Sequence, residues 1–245
     1  MKKKSLLVLG ARSDIGMSVA YRFAKEGFNI QLAARNAITL KDNCSDINIR
    51  FNVLATFHDF NALDINSHEK FIASLPILPD VVISAVGSLG KQSEDELDYK
   101  KTIEIIRTNF EGVVSILGSI ANHFKKRGSG TLIGISSVAG DRGKGSNYIY
   151  GSAKAGLSAF LSGLRNRLYP FNLHVITVKP GYVYTKMTSN LKLPKALTTS
   201  PRNVANNIYL AYKYKKNIIY ITTMWKFIIL IIKLIPENIF KKMKL

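Results

Sequence analysis

Cysteine is almost absent from this sequence of 245 residues, and histidine is sparse. The single cysteine, Cys44, excludes a disulfide framework and fits a reducing cytoplasm. The four histidines, at positions 58, 68, 123 and 174, are too scattered to indicate a metal site. We therefore expect neither disulfides nor a bound metal.

Acidic residues are also scarce, with 16 Asp and Glu against 35 Lys and Arg and a net charge of +19. Such an imbalance indicates an anionic partner, such as nucleic acid, an acidic membrane or a phosphorylated substrate, unless the excess is merely solvated surface. From Lys213 onward the chain has eight lysines and one acid, Glu237. No nucleic-acid-binding motif accompanies these lysines, so we expect no nucleic-acid partner.

Long hydrophobic runs are absent. The apolar run within Ser5–Leu9 is too short for a secretory signal, so we expect none. The very apolar segment Trp225–Ile235 contains Lys226 and Lys233, precedes Pro236, and falls short of the roughly 20 residues that span a bilayer. It is either a helix at a membrane interface or a helix packed against the core or a second subunit.

Apolar runs alternate with helical stretches along the chain, and 47% of the residues are hydrophobic. This alternation predicts an α/β fold, with a doubly wound parallel sheet of about seven strands in a single domain. The predicted strands are Ser5–Leu9, Asn29–Ala33, Ile47–Asn52, Val81–Ser84, Gly130–Ile135, His174–Lys179 and Ile218–Thr222. The predicted helices are Ile15–Glu26, Ser67–Ser74, Asp95–Phe124, Asn147–Leu168 and Pro201–Lys213. We expect residues 1–222 to form the catalytic domain and residues 223–245 an apolar, Lys-rich helical extension.

A turn between the first strand and the first helix is typical of a phosphate-binding site. It consists of Gly10, Ala11, Arg12, Ser13, Asp14, Ile15 and Gly16. Small residues let the backbone approach a pyrophosphate, and the helix N-terminus favours the anion. Because a carboxylate would repel phosphate, we expect Asp14 to point away and cap the helix.

The end of the second strand indicates which dinucleotide binds. Arg35 stands where a carboxylate would hold the ribose of NAD, and together with Arg12 it favours the 2′-phosphate of NADPH. Asn36, beside Arg35, is a further cofactor-binding candidate. Asp64 could either bind the adenine amino group or cap the helix that starts at Ser67.

Ser137, Tyr150 and Lys154 form the strongest constellation in the sequence. Tyr150 and Lys154 are four residues apart and share one face of a helix. We expect the ammonium to lower the pKa of the phenol so that it can transfer protons near neutral pH. The Ser137 hydroxyl can hold a substrate carbonyl while a cofactor transfers the hydride.

From Leu6 to about Thr185, these motifs resemble the short-chain dehydrogenase/reductase family, which has a Rossmann-type fold. The resemblance implies that Ser137, Tyr150 and Lys154 are catalytic and that Asn109 positions a water in a proton relay. The implied contacts to the nicotinamide side of the cofactor are Pro180, Gly181, Val183 and Thr185. Ser84-Ala85-Val86-Gly87 replaces the usual Asn-Asn-Ala-Gly; Ala85 and Gly87 keep the cofactor role, but the bracing of the central sheet is in doubt.

A branch of that family, the polyprenyl-phosphoryl 2-ketopentose reductases, is similar in three further features. These are Asp14, the Val-Gly-Ser-Leu-Gly run from Val86 to Gly90, and the ending that starts at Trp225. The resemblance implies a lipid-linked or phosphorylated ketosugar of cell-envelope synthesis as substrate, and a flavin oxidase as the enzyme that makes the ketone. It also implies a cytoplasmic enzyme that binds the acidic inner face of the membrane.

Two other functions fit the sequence. One is a 3-oxoacyl or general carbonyl reductase whose tail closes the subunit or an oligomer, since such enzymes share the same catalytic residues. The other is a non-catalytic NADPH-binding scaffold, which the loss of Tyr150 or Lys154 would have favoured. Family members commonly pair through helices equivalent to Asp95–Phe124 and Asn147–Leu168, so the resemblance also implies a homo-oligomer.

Overall fold

A seven-stranded parallel sheet forms the centre of the computed structural model, which describes residues 3–243. Its strand order is β3-β2-β1-β4-β5-β6-β9. The strands of this sheet are β1 (Ser5–Leu9), β2 (Asn29–Ala34), β3 (Ala55–Asp59), β4 (Val81–Ser84), β5 (Thr131–Ile135), β6 (His174–Pro180) and β9 (Ile218–Ile221). Two short strands, β7 (Tyr182–Val183) and β8 (Thr198–Thr199), pair separately. The predicted doubly wound α/β fold in a single domain is confirmed.

Helices cover both faces of this sheet. They are α1 (Asp14–Ala24), α2 (Lys41–Phe51), α3 (His68–Ser74), α4 (Gln92–Asp95), α5 (Tyr99–Ile106), α6 (Gly112–Arg127), α7 (Tyr148–Leu168), α8 (Pro201–Lys213), α9 (Thr223–Leu234) and α10 (Glu237–Phe240). Successive residues of β1 enter opposite cores: Leu6 and Val8 pack with α1, α2 and α8, whereas Leu7 and Leu9 pack with α3, α6 and α7. Burial on both faces explains why the central strands are almost wholly apolar.

The predicted strand Ile47–Asn52 is wrong, because this segment belongs to helix α2 and its C-cap. Ile47, Ile49 and Phe51 alternate like strand residues, but Ile49 is 85% exposed. The buried positions are Leu40, Cys44 and Ile47, at the spacing of a helix face. The third strand instead starts at Ala55, beyond the left-handed Asn52 that ends α2.

The predicted single helix Asp95–Phe124 is interrupted. Helix α4 ends at Asp95, and α5 starts after Asp98, whose side chain accepts a hydrogen bond from the Lys100 amide. A π-helical turn over Arg107–Glu111 then joins α5 to α6. A side chain that bonds the first amides of a helix favours a new start there, which divides the long apolar pattern.

The apolar segment near the C-terminus folds as helix α9 and packs on the protein through Trp225 and Ile229. Within residues 3–243, no helix is both long and apolar enough to cross a bilayer. Residues 1–2 of the predicted catalytic domain and residues 244–245 of the predicted extension lie outside the described part of the chain.

Candidate active site

Helix α7 brings Tyr150 and Lys154 together beside the end of β5. The Lys154 amino nitrogen lies 5.6 Å from the centroid of the Tyr150 ring. It donates a hydrogen bond to the Ile135 carbonyl at 3.0 Å, and the Lys154 side chain is buried. Ser137 follows β5 and hydrogen-bonds to Tyr150. The three side chains are therefore placed where one carbonyl group can meet both hydroxyls.

Burial is the main cause of the pKa shifts of Tyr150 and Lys154 in the protein without cofactor. It raises the pKa of Tyr150 to about 12, although the hydrogen bond with Ser137 acts in the opposite direction. It also lowers the pKa of Lys154 to about 8. The pKa of Tyr150 in the protein alone is therefore raised, and not lowered as expected, because burial disfavours the charged phenolate.

Asn109 lies in the π-helical turn and is fully buried. Its Nδ2 donates to the carbonyls of Ser88 at 2.7 Å and Ile105 at 2.9 Å. A Cβ on Gly87 would lie 2.8 Å from Asn109 Oδ1 and 3.4 Å from the Lys154 amino nitrogen. Glycine at position 87 thus lets the backbone pass between Asn109 and Lys154. A π-turn at such a place is common in functional sites.

The turn after β1 is closely packed against the end of β4. Gly10 has a φ of +78°, and a Cβ on it would lie 2.8 Å from the Val86 amide nitrogen. The Ser13 hydroxyl donates to the Gly10 carbonyl at 2.8 Å and accepts from the Gly16 amide at 3.0 Å. Only glycine fits position 10, and the turn leaves the N-terminus of α1 open to an anion.

The prediction that Asp14 caps α1 is wrong, because Ser13 is the N-cap residue. Asp14 is the first residue of the helix, and its carboxylate accepts a hydrogen bond from the Lys186 amide at 2.7 Å. That bond joins the turn after β1 to the segment between β7 and β8. The acidic side chain therefore has a partner of its own on the backbone.

One cavity of about 770 Å³ connects the turn after β1 with Ser137, Tyr150 and Lys154. Most of the site residues predicted from the sequence line it, namely Arg12, Ser13, Asp14, Ile15, Ala85, Gly87, Ser137, Tyr150, Lys154, Pro180, Gly181, Val183 and Thr185. Three others are not in its wall, since Gly10 and Gly16 form the underside of the turn and Asn109 is buried behind Gly87. A large, mostly apolar cavity with a few convergent polar groups is typical of an active site.

Arg35, Asn36 and Asp64 lie outside that wall. Arg12 and Arg35 are both exposed, and Arg12 Nη1 donates to the Arg35 carbonyl at 3.4 Å. Asn36 has a left-handed φ of 53° in the turn that follows. Asp64 is the N-cap residue of the 3₁₀ turn Ile65–Ser67 that precedes α3, although its carboxylate makes no capping hydrogen bond. Its carbonyl accepts a hydrogen bond from the Ser67 hydroxyl at 2.7 Å.

The substitution of Ser84 for the usual asparagine leaves a polar atom without a partner. Ser84 is 1% exposed, and its Oγ has no hydrogen-bond partner within the described part of the chain. Among residues 3–243 there is also no cluster of three or more metal-ligating side chains.

Sequence reasoning missed a number of residues of the cavity wall, among them Lys144, Asn147 and Trp225. Asn147 is the N-cap residue of α7, and its buried Oδ1 has no partner among the described residues. Trp225 was interpreted only as part of a surface or packing helix. The one available signal was its position directly after the last strand, at the edge of the sheet where the other site residues lie.

Comparisons with known proteins agree with this geometry. Residues 4–196 match the family model described as short chain dehydrogenase. An uncharacterized oxidoreductase of Mycobacterium tuberculosis is 32% identical over 243 residues, covering 97% of this chain and 96% of that protein. The solved short-chain dehydrogenase of Sphingobium yanoikuyae in complex with NADPH superposes with a TM-score of 0.80 at 18% identity, covering 96% and 97% of the two chains. A 3-oxoacyl-[acyl-carrier protein] reductase of Brucella melitensis gives a TM-score of 0.80 at 18% identity, covering 89% and 90%. The chain therefore belongs to the short chain dehydrogenase family and is an NAD(P)-dependent oxidoreductase.

Proposed function

We propose that this chain is an NADPH-dependent reductase of a ketone, which oxidises the corresponding alcohol in the reverse direction. The convergence of Ser137, Tyr150 and Lys154 on the cavity that begins at the phosphate-binding turn is the observation that carries this proposal. A phenol with a raised pKa holds its proton at neutral pH and can give it to a carbonyl oxygen that is being reduced.

NADP(H) fits the residues along this cavity. Gly10 and Gly87 leave room that a side chain would fill, and the N-terminus of α1 faces the turn. We assign the pyrophosphate to this turn, the 2′-phosphate to Arg12 and Arg35, and the nicotinamide to the Pro180–Thr185 segment. The adjoining candidates are Ser13, Asp14, Ile15, Gly16, Asn36, Asp64 and Ala85. When bound, the nucleotide supplies the hydride.

The chain's own residues handle the proton and the carbonyl. The Ser137 hydroxyl donates a hydrogen bond to the carbonyl oxygen, and Tyr150 donates the proton to it. A charged Lys154 stabilises the phenolate that remains, since an opposite charge nearby favours the ionised form. Asn109, held rigidly by its bonds to Ser88 and Ile105, positions a water that returns the proton.

The cofactor assignment is tested by titrating NADPH and NADH into the wild type and Arg35→Ala. We expect NADPH to bind at least about tenfold more tightly, and the substitution to remove most of that preference. Lys70→Ala, an exposed residue of α3, is the control and should change neither affinity. If neither nucleotide binds, both the phosphate-binding turn and the enzymatic function have been misassigned.

The alternative of a non-catalytic NADPH-binding scaffold is tested with Tyr150→Phe. Removing the proton donor should lower ketone reduction by about 100-fold or more, while NADPH affinity changes by less than about threefold. NADPH oxidation by the wild type that disappears in the variant rules the scaffold out. A wild type that binds NADPH but reduces no ketone would favour it.

For the substrate, we propose a lipid-linked or phosphorylated ketosugar of cell-envelope synthesis, with a flavin oxidase supplying the ketone. Lys144 supports an anionic substrate because it lines the cavity and is half-buried. Burial lowers the pKa of Lys144. A phosphate in the cavity would stabilise the charged ammonium that burial disfavours.

This proposal is tested by comparing a phosphorylated ketose with its neutral form, in the wild type and Lys144→Gln. We expect the phosphorylated ketose to have a KM at least about tenfold lower, and the variant to lose this difference with kcat for the neutral ketose unchanged. Equal KM values for both ketoses in the wild type would count against an anionic substrate.

Helix α9 supports attachment to the acidic inner face of the cytoplasmic membrane. Its outward side chains are apolar and exposed: Phe227 by 61%, Leu230 by 56%, Ile231 by 64% and Leu234 by 74%. Lysines 226 and 233 are part of this helix, lysines 241 and 242 follow it in sequence, and their charges suit anionic lipid headgroups. We expect flotation with phosphatidylglycerol vesicles but not with phosphatidylcholine vesicles. Leu230→Glu should abolish flotation, whereas Leu210→Glu on α8 should not.

A 3-oxoacyl or general carbonyl reductase is the alternative, supported by the likeness of the fold to the Brucella enzyme. In that case the exposed face of α9 would pack in a homo-oligomer, and the protein would stay in solution with every vesicle. Measuring the molar mass of the wild type and of Leu230→Glu by light scattering separates membrane attachment from oligomer packing. Only an oligomer held together by α9 would dissociate in the variant. In either case we propose residues 1–222 as the catalytic domain and 223–245 as its extension, with no nucleic-acid partner.

A further inference from the structure

Helix α9 reaches the active-site cavity through one side chain, Trp225. The indole is only 4% exposed and is part of the wall that also contains Ser137 and Tyr150. Its Nε1 donates a hydrogen bond to the Leu197 carbonyl at 3.0 Å. Its ring meets that of Tyr182 edge to face, with the centroids 5.3 Å apart and the planes at 77°. These contacts fix the ring in one orientation.

Gly181 provides the space that the indole occupies. A Cβ on Gly181 would lie 1.9 Å from Trp225 Nε1, so the ring lies directly against the backbone of the segment that follows β6. On its other sides the ring packs with Val138, which follows the catalytic serine, and with Ile229 of its own helix. The indole is therefore a rigid part of the wall.

The far end of α9 is held by the loop that follows Ser137. Arg142 donates hydrogen bonds to the Ile232 and Ile235 carbonyls, and it forms an ion pair with Glu237 at 2.9 Å. The buried carboxylate of Asp141 lies 3.2 Å from the Lys233 amino group. Because both ends of the helix are bound to the protein, Trp225 cannot swing away freely.

The hydrogen bonding of the indole limits what it can recognise. Its single N–H is used by the Leu197 carbonyl, so it offers a substrate only an apolar surface. Such a wall discriminates by the size and shape of the groups on the ketone, and not by their hydrogen-bonding atoms. A ring or an unbranched chain can lie against it, whereas a bulkier group cannot enter.

We propose that Trp225 is a specificity-determining residue, which sets the largest substituent that the ketone can carry. This rests on the proposed reductase activity. Phenylalanine at this position would open the wall slightly, and alanine would open it by most of an indole. Substrate preference should therefore move towards bulkier ketones in that order.

The test measures kcat/KM for a small aliphatic ketone and a bulky aryl ketone with NADPH. We expect the bulky-to-small ratio to rise by about tenfold in Trp225→Ala and by less in Trp225→Phe, with NADPH affinity unchanged within about twofold. Met224→Ala, the neighbouring residue that is 52% exposed, should leave the ratio unchanged. An unchanged ratio in both folded Trp225 variants would overturn the proposal.

If the proposed reductase function is wrong, the result differs from that of a wrong assignment of Trp225. In that case the wild type reduces neither ketone, and the affinities of the same two ketones are measured by calorimetry in the presence of NADP⁺. The bulky ketone should still gain affinity relative to the small one in Trp225→Ala. If that shift is also missing, the assignment of Trp225 fails independently of the proposed activity.

Discussion

The buried ammonium of Lys154 should make the stability of this protein depend on pH in a defined way. Burial lowers the pKa of Lys154 to about 8 from its ordinary value of 10.5. Below about pH 8 the lysine is protonated in both the folded and the unfolded protein. Between about pH 8 and pH 10.5 the unfolded chain keeps the Lys154 proton that the folded protein has released. The free energy of unfolding therefore rises with pH in this range.

The size of this effect follows from the two pKa values. The difference between the folded and unfolded pKa values of Lys154 corresponds to about 3 kcal/mol in the free energy of unfolding. This stability is gained at about 1.4 kcal/mol for each pH unit between the two values. Lys154→Met removes the titrating group and also the hydrogen bond to the Ile135 carbonyl. Loss of that bond changes stability by an amount independent of pH. Tyr150, whose pKa is raised to about 12, acts in the opposite direction only above about pH 10.

The assay is urea denaturation of the wild type and Lys154→Met from about pH 7 to about pH 10, followed by circular dichroism. We expect the wild type to gain about 2 to 3 kcal/mol relative to the variant between about pH 8 and pH 10. Lys70→Met, on the exposed side of α3, should show no such difference. A constant difference between wild type and Lys154→Met would refute the argument that Lys154 is desolvated.

Three further substitutions probe the packing around the site. Gly181→Ala places a methyl group 1.9 Å from the Trp225 indole, so fluorescence of this only tryptophan should shift to longer wavelength; unchanged emission would contradict the packing. Arg142→Ala should speed amide hydrogen exchange at the end of α9 by about tenfold or more, and exchange at the wild-type rate would show that Arg142 does not hold the helix. Asn109→Ala removes the side-chain donor to the buried Ile105 carbonyl and to the part-buried Ser88 carbonyl and should cost about 2 to 4 kcal/mol in chemical denaturation, whereas a loss below about 1 kcal/mol would mean that water replaces the amide.

The sequence predicts the parallel sheet well because its central strands are buried on both faces and are apolar throughout. It fails at the segment from Ile47 to Asn52, where Ile47, Ile49 and Phe51 alternate along a helix that buries Ile47 and exposes Ile49. Ile49 is 85% exposed, so the alternation reflects no buried face. Local pattern alone cannot separate a short helix with one buried edge from a strand, because the neighbouring elements decide which residues are covered.

The arrangement of the site residues is predicted better than their electrostatics. The spacing of Tyr150 and Lys154 indicates their common face, since helix geometry depends on local sequence only. Their pKa values depend instead on how much water the folded protein removes, and β5, α7 and the π-turn together determine that. For the same reason the role of Trp225 is invisible in the sequence, as it lies far along the chain from Gly181, on which it packs.

The loop after Ser137 links the chemistry to the shape of the cavity. Val138 packs on Trp225, while Asp141 and Arg142 hold the end of α9, so the segment from Ser137 to Arg142 carries the hydroxyl that we propose binds the substrate carbonyl and also fixes the Trp225 part of the cavity wall. A change in the loop should therefore alter kcat and KM together, because it moves the hydroxyl and the wall at once. A change at Trp225 alone should act mainly on the discrimination between ketones. The two kinds of variant are thus distinguishable by kinetics, although both act on the same helix.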